Sequence, residues 1–379
     1  MAKAVYVGVG SKARKMKKAY IGIGGTARKV KKMYIGDSSG KARLCYSAEL
    51  EKVGMAAALN KAREDARAAT VGNYALFAGG LGTVPRSSYE ESVCFSTVDA
   101  YNASLTKSTP AALSTTRCSH AAATIGSYAL FAGGSTKYGV RYGEITNTVD
   151  AYSTSLTRSS AAALSVARRW MGAAVVGSYA LFAGGTTDSG ITDYVSSENT
   201  VDVYNASLTH TTAVGLSSHR ANAKGASVGS YAIFAGGNTG RLNVDVYNSS
   251  LTRTTATALQ SGANNDAAAT IGNHAIFVGD SAAADIYDAS LTRTSAAILS
   301  TARTGLAAAT VGDYAVFNGR GIVDYCDASL TRSTMDTSQQ GHVRYDMAGT
   351  TVGDYALFAG GCDANKSTLY HDYVEVYTA

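Results

Sequence analysis

Charged side chains are scarce, at 16% of residues, and proline is almost missing, at 2 in 379. So little Lys and Glu argues against long surface helices. No stretch approaches 18 consecutive apolar residues, which argues against a transmembrane helix, and residues 1–10 lack the apolar core of a signal peptide. The chain is therefore expected to be made in a cytoplasm without membrane insertion. The five cysteines, Cys45, Cys94, Cys118, Cys326 and Cys362, show no CxxC spacing, which predicts buried thiols rather than zinc ligands or a disulfide framework. The six histidines fall at unrelated places without metal-ligand spacing, so no metal and no cofactor is expected. What is abundant is Gly, at 40, Tyr, at 24, and Ala, Ser and Thr, a composition suited to many short strands and tight turns.

The net charge of +6 hides a division. Residues 1–47 carry 12 Lys and Arg against one acid, Asp37, whereas the remaining body carries 22 basic and 27 acidic residues. In the basic part Val5-Tyr6-Val7-Gly8, Ala19-Tyr20-Ile21-Gly22 and Met33-Tyr34-Ile35-Gly36 recur, with Tyr6, Tyr20 and Tyr34 at 14-residue intervals. Each is followed by a turn and by Lys or Arg alternating with Ala, Met, Val or Leu, a strand period that predicts small two-faced hairpins. A meander this short has too little core to stand alone, so it is expected to assemble with copies of itself or with a partner. Phosphate attraction to nucleic acid is the less favoured reading, because the regular Tyr-Ile-Gly face suits packing better than a solvated basic arm.

The body repeats at a longer period. The string around Gly72 returns at Gly126, Gly177, Gly229, Gly272, Gly312 and Gly353, at spacings of 54, 51, 52, 43, 40 and 41 residues, the period of a four-stranded propeller blade. Within one unit, residues 121–125 and 128–132 read as strands around the hairpin signal Gly126-Ser127, and a third strand near 148–152 leads through a turn to a fourth. Asn102, Asn205 and Asn248 head Asx turns there. The seventh unit lacks a fourth strand, and residues 50–59 align with a fourth strand, so the ring is expected to close by pairing the front of the chain with its end. The division is thus a basic β-repeat tail over 1–47 and a seven-bladed, all-β propeller over 48–379.

The order Tyr152, Leu156, Arg168, Gly177-Ser178-Tyr179 and Gly184-Gly185 resembles the kelch motif. Its double glycines are Gly79-Gly80, Gly133-Gly134, Gly184-Gly185, Gly236-Gly237 and Gly360-Gly361. Its Arg lies nine residues before the hairpin Gly as Arg63, Arg117, Arg168, Arg220, Arg303 and Arg344, with Ala263 instead in the fifth unit. Polar residues such as Arg158 and Arg253 replace the kelch Trp, marking a divergent branch. The third strand carries an acid in every copy, Asp99, Asp150, Asp202, Asp245, Asp285, Asp324 and Glu375, which predicts one hydrogen-bond pattern repeated around the ring. The tail is similar to glycine-and-lysine repeats of tail-associated proteins from phages and prophages of Gram-positive bacteria, which implies attachment to virion or tail proteins.

No catalytic set converges. The Tyr, Cys and two His of copper-oxidase kelch propellers are not assembled, and the turn signature of sialidase propellers is missing, so no enzyme is expected. The connections after the double glycine are long in units one (81–97), two (135–148), three (186–200) and seven (362–373), which form one arc on one face. They hold Tyr89, Phe95, Tyr138, Arg141, Tyr142, Tyr194, Tyr370 and Tyr373, the composition of a recognition surface. The expected function is a virion-located, homo-oligomeric adhesin whose loop face binds a host-surface glycan or protein. The alternatives are a structural virion protein and an intracellular kelch-type scaffold.

Overall fold

A computed structural model of the chain describes residues 6–9, 12–15, 19–23, 26–30, 32–36, 42–47, 49–87, 90–137, 144–188, 196–238, 242–260, 265–336, 343–363 and 366–379. Among them no helix is long and apolar enough to cross a membrane. From residue 50 onward the described residues build seven four-stranded antiparallel sheets. Their first strands are Arg67–Val71, Ala121–Ile125, Gly172–Val176, Lys224–Val228, Asn265–Ile271, Ala307–Val311 and Ala348–Val352. Each lies beside the next and the last beside the first, so the sheets are the blades of a closed seven-bladed β-propeller, numbered 1 to 7 below.

The small residues follow from the geometry of the axis. Seven first strands converge there, and a Cβ on Gly172 would stand 2.7 Å from the Ala223 carbonyl oxygen, one on Gly349 2.5 Å from that of Ala308. Even the Cβ of an Ala is therefore excluded at these two positions. Second strands such as Tyr128–Ala132 are buried on both faces, which is why they read as unbroken apolar runs. The core consequently sits between blades. Leu76, Val98 and Leu113 of blade 1 and its following linker pack on Phe131 and Tyr152 of blade 2, the two rings meeting edge-on at 5.8 Å. Hydroxyls stitch the same seam. The Thr124 Oγ1 donates to the Thr70 carbonyl at 2.5 Å, Thr270 to Ser227 at 2.6 Å and Thr310 to Thr270 at 2.9 Å.

Strand direction defines two faces. Turns between first and second strands and between third and fourth share one face, the turn face. Gly126 lies there with φ +54, and a Cβ on it would stand 2.8 Å from the Ala206 Cβ of blade 3. The connections between second and third strands, and the linkers between blades, share the opposite loop face. The ring closes in blade 7, where Glu51–Ala56 pairs antiparallel with Val374–Thr378 and Lys52 Nζ meets Glu375 Oε1 at 2.7 Å. Glu51 stands opposite Thr378, so the chain enters the ring on the turn face.

The basic residues in front form three two-stranded hairpins, Tyr6–Val9 with Lys12–Lys15, Tyr20–Ile23 with Thr26–Lys29, and Lys32–Gly36 with Ala42–Ser47. Tyr6, Tyr20 and Tyr34 are paired with Lys15, Lys29 and Leu44.

Candidate functional site

The repeated arginines join one blade to the next. Arg220 Nη2 donates to Asp245 Oδ2 at 2.7 Å and to the Phe234 carbonyl at 3.1 Å, both within blade 4, while its own carbonyl accepts the Gly185 N–H of blade 3 at 2.9 Å. Arg63 with Asp99, Arg117 with Asp150, Arg168 with Asp202, Arg303 with Asp324 and Arg344 with Glu375 repeat the ion pair. The second glycine of Gly79-Gly80, Gly133-Gly134 and Gly360-Gly361 repeats the backbone latch onto Arg117, Arg168 and Arg63. A Cβ on Gly79, at φ +62, would meet the Arg117 carbonyl at 2.5 Å, so the latch requires glycine. Each buried acid also meets a basic side chain from the fourth strand: Lys107, Arg158, His210, Arg253, Arg293, Arg332 and Lys52 in ring order. That is what Arg158 and Arg253 do at the position of the kelch Trp. The seven acids are therefore structural, buried away from the axis.

The loop-face residues expected to bind a ligand are only partly described. Tyr89, Tyr138, Arg141, Tyr142 and Tyr194 lie outside the described residues. Phe95 is buried against Gly82, and its backbone bonds to Gly80 and Arg117, so it packs the loop instead of facing solvent. Tyr370 is half-buried against Leu81, Cys94 and Cys118. Tyr373 stacks on His371 at 5.2 Å, and its carbonyl accepts Arg344 Nη1 at 3.1 Å. One expectation is corrected here: Cys94 and Cys118 are disulfide-linked. The hairpin of Leu81–Pro85 and Glu90–Cys94 folds back onto the linker into blade 2, so the partners belong to different repeat units and their spacing has no framework pattern. Cys326 and Cys362 are free and buried.

A different site opens on the axis at the loop face. It is a cavity of 650 Å³ lined by Glu64, Asp65, Arg67, Ser119, Trp170, Asn222, Lys224, Asn238, Asp266, Thr304 and Asp346 among others. Its rim is built from the residue two places after the repeated Arg: Asp65, Ser119, Trp170, Asn222, Gly305 and Asp346, all with φ between +51 and +73. In that conformation each N–H turns toward the neighbouring blade. Asp346 donates to the Gly305 carbonyl at 3.0 Å, Asp65 to Asp346 at 3.2 Å, Trp170 to Ser119 at 2.9 Å and Asn222 to Trp170 at 2.8 Å. Two carboxylates complete the rim, Asp65 Oδ2 accepting the Ser119 N–H at 2.6 Å and Asp266 Oδ2 that of Gly305 at 3.1 Å.

Charge concentrates below this rim. Arg67 pairs with Asp65 at 2.7 Å and donates through Nε to the His120 carbonyl at 2.8 Å. Burial raises Glu64 to about 7, its carboxyl accepting the Cys362 thiol. Burial, together with Asp65 and Asp266, raises Asp346 to about 6. Asp266 is raised and Lys224 lowered, in both cases chiefly by burial. Among the described residues, no group of three or more His, Cys, Asp or Glu is arranged to hold a metal ion. Repeat comparison that looks for sameness passes over this site. Its signal is the difference among copies at one slot, and the long Arg67 and Lys224 where the other copies have Ala121, Gly172, Ala267, Ala307 and Ala348.

No protein-family model matches the sequence, and no curated protein matches it. Among solved structures, one described as the structure of YjhT is similar at a TM-score of 0.49 and 13% identity, covering 74% of this chain and 94% of that one. The fold assignment rests on the strand topology.

Proposed function

We propose that the chain is a tail-associated adhesin of a phage or prophage, anchored through residues 1–47 and binding a host-surface structure such as a glycan with the loop face of its propeller. One observation carries this reading: the chain enters the ring on the turn face, through Glu51 beside Thr378, whereas the axial cavity opens on the opposite, loop face. A ring that the chain enters on one face and that opens a polar cavity on the other suits display. Several copies assembled through the tail would multiply weak single contacts.

The test is binding of the fluorescently labelled full chain to a panel of intact Gram-positive cells, beside a variant with residues 135–148 shortened. Saturable binding to at least one strain is expected, weakened by the shortening. Binding to no strain would overturn the adhesin. It would favour a structural virion role, for which the closing strand Glu51–Ala56 offers Val53 and Met55, 50% and 48% exposed, as a packing surface.

A further inference from the structure

The rim slot asks of the backbone only a residue that tolerates the left-handed region, which Gly, Asn and Asp do most readily. Asn222, Gly305, Asp65 and Asp346 meet that demand, but Trp170, at φ +56, does not. The Trp170 ring, stacked by the Arg169 guanidinium at 3.9 Å, lines the cavity. One turn of the repeat deeper, Arg67 and Lys224 replace the Ala or Gly of the other copies.

What the cavity lacks identifies what it takes. Glu64, Asp65, Asp266 and Asp346 face it against Arg67 and Lys224, and Arg67 is already engaged by Asp65 and the His120 carbonyl. Asp346 has no side-chain hydrogen bond or ion pair among the described residues, and its ionisation is opposed by Asp65 and Asp266. A bound positive charge relieves that repulsion. Lys224, half-buried in the cavity wall, likewise has no side-chain hydrogen bond or ion pair among the described residues, so its ammonium is open to an acceptor. The amide of Asn222 adds a donor and an acceptor, and the volume falls in the range of small-molecule sites. A ligand with an ammonium, several hydroxyls and an apolar ring face meets all these conditions.

We infer that the axial cavity binds an amino sugar, its ammonium held by Asp346 and Asp266, its hydroxyls bonded by Lys224 and Asn222, and its ring lying against Trp170. This rests on the reading that the loop face binds a ligand.

Trp170 is the single tryptophan of the chain, so intrinsic fluorescence of the full chain reports on the cavity directly. Titration at pH 7 with glucosamine is expected to give a saturable change. Glucose, N-acetylglucosamine and ethanolamine should bind at least tenfold more weakly. Asp346→Asn should weaken glucosamine at least tenfold without lowering the melting temperature. Glucosamine should also bind more tightly at pH 7 than at pH 5, as Asp346 ionises among Glu64, Asp65, Asp266, Arg67 and Lys224. Glucose matching glucosamine, ethanolamine matching it, or an unaffected Asp346→Asn variant would each overturn the inference. Calorimetry repeats the comparison independently of Trp170. The adhesin reading fails separately: glucosamine binding without cell binding removes the adhesin, and cell binding untouched by Asp346→Asn removes the amino sugar.

Discussion

At Arg220 one residue serves two blades, its guanidinium inside blade 4 and its carbonyl on Gly185 of blade 3. Arg220→Ala keeps the carbonyl latch and removes the guanidinium, leaving Asp245 with Arg253 as its one cation beside the Ser217 donors, much as Asp285 has Arg293 in blade 5. Because one cation remains, the expected loss is about 3 kcal/mol, toward the low end for breaking a buried pair, read as the shift of the urea unfolding midpoint. A loss below about 1 kcal/mol would show that the outer cation suffices. Asp346 works in the opposite sense. Its folded pKa of about 6 lies above the ordinary carboxylate value, so the folded state holds the proton more tightly, and stability falls as pH rises from about 4 through 6. Asp346→Asn is therefore expected to raise the melting temperature at pH 8, by a gain on the order of 2 kcal/mol, and to leave it unchanged near pH 4. A variant less stable than the parent at pH 8 would contradict the burial argument.

Among elements, the closing strand carries the most consequence, since without Glu51–Ala56 blade 7 is left with three strands and an open edge along Val374–Thr378. A chain beginning at Glu49 is expected to remain monodisperse and to melt cooperatively, whereas one beginning at Ala57 should aggregate on size-exclusion chromatography. Equal behaviour of the two would mean that the pairing adds little. This strand was readable in advance because Leu50 and Leu59 align with Leu105 and Leu113 of a complete unit, and the hairpin glycines were readable because a left-handed turn leaves few alternatives. The rim and its cavity were not. They depend on the residues just after each Arg, where the backbone is uniform and the side chains differ, so alignment by likeness discards them. The bond between Cys94 and Cys118 was hidden for a related reason, since a long connection of one unit reaches a linker of the next.

For the whole molecule, the tail and the ring make separable claims. Light scattering is expected to find the full chain oligomeric and the chain from Glu49 onward monomeric. A monomeric full chain would remove self-assembly from the role of residues 1–47. The closure of the ring also sets a timetable. Lys52 and Glu375, which face each other in blade 7, stand 323 positions apart, so at ordinary translation speeds the first strand of that pair waits roughly 15 to 65 s for its partner. Until then every finished blade belongs to an open spiral with two bare ends. A ribosome that stalls or terminates before Val374 therefore releases a ring that cannot shut, with the edge of its opening strand left bare.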